Sequence, residues 1–339
     1  RISPNDDGDN LGVGAFVDWE NQFDLNKKWS VQTDVAYEFK QDRFEDLNQY
    51  RPAEFVRDWN IENSDNIRVN EHLGLGKIGI QHDELGNLNY QFSGFLRDSL
   101  YEGRRHVANY QFLKNGWEIS ATSNLLETEG QEENTRFFRP NFSIVMPFFR
   151  DSTGQQYWRA GVAGEREYNE RFAKSADLEV ADTLDNASFW FDIINAFVET
   201  PQSDRFTFRA GFRQRYDYAP VEDDFEASMV GSELNIKTTF RNRRKDKNNR
   251  RYLSNLGVNF TYRELDIKDA SLTSFEPSET FLGRLNYSWS LFNGAVQTNT
   301  TYEVGSGQER RVEFFFDENL EGTGAYIWND YNQDSIIQV

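Results

Sequence analysis

The sequence predicts an all-β protein: an antiparallel, up-and-down transmembrane β-barrel of about 14 to 16 strands, complete in itself or part of a larger barrel. Three observations predict this fold class. Long segments alternate apolar and polar residues with a period of two. The connections between these segments alternate between short and long, and no helical periodicity competes with the strand pattern.

The first hairpin, Leu11 to Lys40, shows the period most clearly. Its second strand carries Trp29, Val31, Thr33, Val35, Tyr37 and Phe39 on one face, with polar residues and Ala36 between them. A dozen residues at about 3.3 Å each, tilted by about 40°, rise close to 30 Å, which is near the height of the apolar band of an outer-membrane barrel. The length of this hairpin is the first indication of a membrane.

Similar strands recur along the rest of the chain. They are predicted around residues 73–80, 88–97, 104–112, 117–125, 138–148, 158–162, 187–199, 205–213, 230–240, 256–262, 281–289 and 296–302, with one more at 312–316. The strand at 187–199 is apolar on both faces, which indicates a buried contact such as a plug or a second wall.

The connections fall into two sets that alternate along the chain. The short set is 24–28, 82–87, 113–116, 150–154, 200–204 and 291–294. The longer, acidic set is 41–67, 127–134, 169–186, 217–225 and 268–278, with 97–103 as a short member. In an up-and-down sheet every second connection lies at the same end, so one end receives short turns and the other long loops. This asymmetry is typical of outer-membrane barrels and is not expected of a Greek-key sandwich.

Composition excludes several function classes. The 339 residues include 37 Lys and Arg against 56 Asp and Glu, and the resulting net charge of -19 disfavours nucleic-acid binding. Absence of Cys removes disulfides and thiol chemistry. The longest apolar run, Ile144 to Phe149, is too short for a transmembrane helix. A mean hydropathy of -0.78 is compatible with a barrel, because only every second strand residue meets lipid.

Aromatic residues near strand ends are candidates for interfacial girdles. They include Trp19, Phe23, Trp29, Phe39, Trp117, Trp158, Trp289 and Tyr302. Packing in a core is the alternative interpretation for any single one of them.

Motifs for catalysis are absent from the sequence. We recognise no Ser-His-Asp order, no P-loop and no G-x-G-x-x-G run, and His72, His82 and His106 lack the spacing of metal ligands. The sequence therefore predicts a protein that is not an enzyme. An enzyme whose catalytic groups converge among the long loops at the barrel rim is a third alternative.

Basic residues cluster at two places. Arg205, Arg209, Arg213 and Arg215 form a ladder along one strand, which either attracts anions or pairs with Glu165, Glu167 and Asp192 on neighbouring strands; pairing is the favoured interpretation. The second cluster, residues 241–252 at the short-turn end, holds seven Arg and Lys. It is either a flexible basic turn or a binding site for an acidic periplasmic partner.

A candidate calcium loop lies close to the last residue. Asp330, Asn332 and Asp334 occupy positions 1, 3 and 5 of an EF-hand-like loop, where oxygen ligands are needed. Ser335 replaces the glycine of position 6, and position 12 would lie beyond Val339. We therefore expect no cofactor: an Asx-rich turn without metal is the favoured interpretation, and weak Ca²⁺ binding by these three residues is the alternative.

The same region carries a family resemblance. Residues 322–334 read G-x-G-x-Y-x-W-x-D-x-N-x-D and resemble a run in large, poorly characterised outer-membrane β-barrel proteins of Bacteroidota. The resemblance implies an outer-membrane or surface location and no defined activity.

Taken together, these observations divide the chain into barrel strands and loops at 1–316 and an Asx-rich turn segment at 317–339. Because the chain begins without Met or a signal peptide, we interpret it as a piece of a longer protein. The predicted location is the bacterial outer membrane. The predicted partners are the lipid bilayer, lipopolysaccharide and a periplasmic or surface protein.

The predicted function is that of a channel, a translocation barrel or a scaffold for surface partners. A soluble or cell-surface β-rich binding protein, for example one that binds glycans, is the alternative.

Overall fold

The computed structural model describes residues 2–4, 11–44, 51, 55–61, 68–150, 156–174, 183–200, 205–245, 247 and 251–306. Fifteen antiparallel strands form one sheet, in which every strand pairs with its neighbours in sequence. The first strand has three residues and the other fourteen have 11 to 22. The predicted all-β, up-and-down fold and its number of strands are therefore confirmed.

The strands are β1 Ile2–Pro4, β2 Leu11–Asp24, β3 Trp29–Lys40, β4 Glu71–His82, β5 Gly86–Arg97, β6 Tyr101–Lys114, β7 Trp117–Gly130, β8 Glu133–Arg150, β9 Gln156–Ala173, β10 Phe189–Glu199, β11 Phe206–Val221, β12 Asp224–Lys245, β13 Arg251–Ile267, β14 Ser278–Leu291 and β15 Val296–Ser306. One helical turn, α1, spans Phe55–Asp58, and a 3-10 turn spans Phe292–Gly294. The expected strand at 312–316 lies outside the described residues. The fifteenth strand of the sheet is β1, for which the sequence analysis predicted no strand.

The short connections follow the sequence closely. Between β6 and β7 the turn consists of Asn115 and Gly116, with φ of 55° and 83°. An Asn-Gly pair suits this turn because both central residues of the tight hairpin turn need a positive φ. The short-turn end of the sheet is therefore encoded locally.

The opposite end differs from the prediction at two places. The β7–β8 connection contains only residues 131 and 132, and the β11–β12 connection only residues 222 and 223. The expected long loops at 127–134 and 217–225 are wrong, because both stretches are mostly strand. Their charged side chains obscure the apolar alternation, while the backbone pairing continues through Glu127↔Arg136 and Tyr218↔Ala227.

The small buried core lies at this end of the sheet. Trp59, Phe95, Tyr101 and Leu126 form it, with exposures of 8 % or less. Trp59 comes from the long β3–β4 connection, and the other three come from β5, β6 and β7. Part of the predicted surface loop therefore folds back onto one face of the sheet.

The two edges of the sheet lie at β1 and β15. Within the described residues β15 pairs with β14 along one side, and no strand pairs with its other side.

Candidate functional site: an apolar belt and a polar wall

The strand register joins the apolar faces of fourteen strands into one surface, which we call the apolar belt. Val35 illustrates how, because it pairs with Trp19 on one side and with Gly76 on the other. The belt includes Val17, Val35, Ile78, Phe142, Ile144, Val162, Phe212, Leu234, Leu285 and Tyr302. A period of two in each strand and an unbroken register between strands are together sufficient to form it.

Large side chains of the belt are exposed. Val17 is 64 %, Val35 51 %, Phe142 45 % and Phe212 46 % exposed. Water-soluble proteins rarely expose apolar patches larger than a few hundred Å². A belt across fourteen strands therefore points to an apolar environment or to a partner surface.

Aromatic residues border the belt at both ends. At the short-turn end they are Phe23, Trp29, Trp117, Trp158 and Trp289, and at the opposite end Phe39, Tyr168, Trp190, Tyr218 and Phe225. Trp29 and Phe39 are ten residues apart in β3, as are Trp158 and Tyr168 in β9. Ten residues at about 3.3 Å, with a tilt of about 40°, give a height of about 25 Å, which equals the apolar band of outer-membrane barrels. Trp19 and Tyr302 lie within the belt rather than at its borders.

Several polar groups on the belt face have partners, whereas Thr33 Oγ1 and Trp190 Nε1 are buried without one in the described part of the chain. The Tyr37 hydroxyl lies 2.7 Å from His72 Nδ1, and the Tyr90 hydroxyl lies 2.7 Å from His106 Nδ1. Arg166 donates two hydrogen bonds of 2.6 and 2.9 Å to Asp192, and its guanidinium lies 4.8 Å from the centre of the Trp190 ring. In an apolar environment a polar group is stable only when it is hydrogen-bonded or ion-paired.

The other face of the sheet is polar, and we call it the polar wall. It carries Asp34, Lys77, Asn141, Arg209 and Glu233, and cross-strand ion pairs run along it. Arg159 bridges Glu118 and Glu199, Arg263 pairs with Glu233 at 2.6 Å, and Arg284 with Glu303 at 2.7 Å.

The arginine ladder pairs differently from the prediction. Arg209 binds Glu199 at 2.8 Å, and Arg215 binds Asp217 of its own strand at 2.6 Å. The predicted partner Asp192 lies on the opposite face, bound to Arg166. The error arises because residues of neighbouring strands meet only through the register, which the sequence pattern did not fix.

The two-sided apolar strand β10 is explained by arginine stacking. On the polar wall the Arg215 guanidinium lies 4.0 Å from the centre of the Phe191 ring, and that of Arg209 lies 4.1 Å from Phe197. The Phe197 ring also fills the space above Gly161, where an added Cβ would lie 2.3 Å from it. Within the described residues, the two rings are therefore covered by Arg209 and Arg215, and the space above Gly161 accommodates Phe197. These contacts take the place of the expected plug or second wall there.

One part of the polar wall is covered by the β3–β4 connection. Residues 55–61, which we call the docked segment, pack over β5 to β8: the Tyr101 hydroxyl donates to the Trp59 carbonyl, and Asn60 Nδ2 donates to Glu133 and Thr135. Close by, Arg51 reaches Glu38 at 2.5 Å and Glu71 at 2.6 Å. Sequence reasoning missed this packing, and the signal was the presence of Phe55 and Trp59 in an otherwise charged loop.

At the short-turn end β12 and β13 project beyond their neighbours. The pairing of β11 with β12 ends at Phe240, and that of β13 with β14 ends at Leu253, whereas β12 and β13 continue to Lys245 and Arg251. The basic stretch of the sequence is thus a projecting hairpin with exposed side chains at Arg241, Arg243, Arg244, Lys245 and Arg251.

The candidate calcium ligands Asp330, Asn332 and Asp334 lie outside the described residues. In the part that is described, no group of three or more His, Asp or Glu residues is placed to hold a metal ion. His72, His82 and His106 are separate, and His82 Nδ1 accepts the backbone N–H groups of Glu84 and Leu85.

Within the described residues, no helix has the length and apolar character needed to cross a membrane. A scan against protein-family models and a search of curated proteins both found no match to this chain.

Proposed function

We propose that this chain forms the wall of a bacterial outer-membrane β-barrel, with the apolar belt against lipid and the polar wall towards an aqueous interior. One observation carries the proposal: the belt crosses fourteen strands with exposed apolar side chains, and its aromatic borders are ten residues apart along β3 and β9. At the strand tilt of an outer-membrane barrel, ten residues correspond to a height of about 25 Å. The hydrocarbon layer of the outer membrane matches the height of the apolar belt. The lipid of its outer leaflet, which the belt would contact, is lipopolysaccharide.

The polar wall supports passage or anchoring as the function. In hydrocarbon every backbone polar group must be paired. The antiparallel ladder pairs the strands between the two edges, and pairing of the edges at β1 and β15, with each other or with further strands, would complete the barrel. Ion pairs such as Arg284–Glu303 are half exposed and suit a water-filled interior. We therefore propose a channel, a translocation barrel or a scaffold for surface partners, and no catalytic activity.

Scanning of β3 with single cysteines tests the membrane contact. Since the chain has no Cys, each variant from Val31→Cys to Phe39→Cys carries one label site for an environment-sensitive fluorophore. In bilayers with brominated lipid tails we expect strong quenching at 31, 33, 35, 37 and 39 and weak quenching at 32, 34, 36 and 38.

A second measurement distinguishes the membrane barrel from the alternative, a soluble binding protein. The outer-membrane barrel requires detergent for solubility and changes its gel mobility on heating. A monomer that is soluble without detergent, or a scan of β3 without a period of two, would refute the membrane proposal.

A further inference from the structure

The polar wall carries cations without carboxylate partners, in contrast to its ion pairs. Six of them lie on β12 and its neighbours and form what we call the basic track: Arg213, Lys237, Arg241, Arg243, Lys245 and Arg251. All six are exposed, and none is in an ion pair within the described residues. Two carboxylates that the register places beside β11 and β12 on this wall, Glu199 and Glu233, already bind Arg209 and Arg263.

The register places the track on one face. Lys237, Arg241, Arg243 and Lys245 alternate with belt-side residues along β12, and Arg251 pairs with Lys245. From Arg213, which pairs with Glu233, to Lys245 the track covers twelve residue steps of β12, or about 40 Å at 3.3 Å per residue. It begins on the polar wall and ends on the projecting hairpin.

From this arrangement we propose that the basic track binds an extended acidic polypeptide, which docks from the side of the sheet that carries the short turns. Side chains on one face of an extended chain are about 6.6 Å apart, the same spacing as Arg241, Arg243 and Lys245. Cations spread along a line fit such a ligand better than a small anion, which needs convergent donors.

Lipid phosphate fits the geometry less well. Of the hairpin cations in the described strands, only Arg244 lies on the belt side, opposite Tyr252. Arg241, Arg243, Lys245 and Arg251 lie on the wall side, away from the proposed lipid. Because the chain as a whole has a net charge of -19, this local track also directs an acidic partner to one place. The inference needs only the exposed wall, so it can hold or fail independently of the membrane proposal.

Fluorescence anisotropy in detergent tests the inference with a labelled peptide of ten Glu-Ser repeats. We expect binding at low salt that weakens as salt rises. The triple variant R241Q/R243Q/K245Q should bind about tenfold more weakly, since it removes three exposed charge contacts that are each weak on their own. Single variants R243Q and K245Q should show smaller, graded losses, and an unchanged far-ultraviolet circular dichroism spectrum shows that each variant is folded.

Adjacent residues provide the control. R244Q removes the same charge from the other face and should leave the affinity within about twofold. Three outcomes would overturn the inference: no binding by the unaltered protein, an R244Q loss equal to that of R243Q, or tighter binding of a thymidine oligonucleotide of equal charge.

Discussion

Two regions of the polar wall follow the same alternation of residues but have opposite surroundings. Beside β4 to β8 the docked segment buries ion pairs, and the side chains of Arg51, Glu71 and Arg97 are only 11 to 18 % exposed. On β13 and β14, Arg263 and Arg284 are 66 % and 50 % exposed in comparable pairs. The difference shows that a returning loop, and not the strand pattern, decides whether a polar wall residue is structural or available to a ligand.

Of the changes considered, removal of the Trp59 side chain should reduce the difference between the two regions of the polar wall most strongly. Trp59 is 4 % exposed and packs against Phe95, which is fully buried. We expect Trp59→Ala to destabilise the docked segment by about 3–5 kcal/mol, because the lost ring leaves a cavity. Hydrogen exchange should show lost protection at residues 55–61 and unchanged protection in β12 to β14. Phe212→Ala, which removes an exposed belt ring, is the control, and equal loss of protection at 55–61 in both variants would contradict this account.

A change at Arg51 should have a somewhat smaller effect. Arg51→Gln leaves Glu38 and Glu71 without this partner at a site where side chains are 12 to 18 % exposed. Breaking such a buried pair costs about 3 kcal/mol, whereas Arg263→Gln in the bare region should cost less than about 1 kcal/mol. Urea unfolding in detergent micelles measures both variants. Equal costs would mean that the docked segment does not shield the wall.

The smallest expected effect concerns an exposed ion pair outside both regions. Hydrogen bonding to Lys28, with the charges of Lys114 and Lys28, lowers the pKa of Glu84 in the β4–β5 turn. A folded-state pKa below the unfolded value means that this stabilisation is present above the unfolded pKa. It is lost as pH falls through the folded pKa.

Thermal melts of the protein and of Glu84→Gln at pH 6 and at pH 3 check this expectation. The difference in Tm should be small at pH 6 and disappear at pH 3, and added salt should reduce it. A difference that grows on acidification would contradict the assigned cause.

Much of the fold follows from local sequence, since period two and short polar turns are local properties. Asn115-Gly116 fixes a hairpin without help from distant residues. Glycines at 74, 76 and 79 weakened the pattern of β4, and its pairing with β3 and β5 compensates for them. The extent of strands at the long-loop end was not predictable, because charged residues such as Glu127 can occupy either a loop or an extended hairpin.

For the candidate site, the sequence predicted on which face of the sheet each side chain lies, but not which side chains form ion pairs with each other. Alternation assigned Val35 and Asp34 to opposite sides, and the register preserved that assignment across the sheet. The carboxylate that binds Arg209 is determined by the pairing between strands. The burial of Arg51 depends on a loop that folds back onto the sheet and brings Arg51 to Glu71, which is 20 residues away in sequence. Contacts of this kind have no periodic signature.

The sequential order of the sheet has one more consequence. Since each described strand bonds only to its neighbours along the chain, the ladder can lengthen or shorten by whole hairpins without a change in the pairing of the rest. When two strands are gained by duplication or lost by deletion, the apolar face of every remaining strand stays on the same side of the sheet. The number of strands in such a sheet can thus change in evolution in steps of one hairpin.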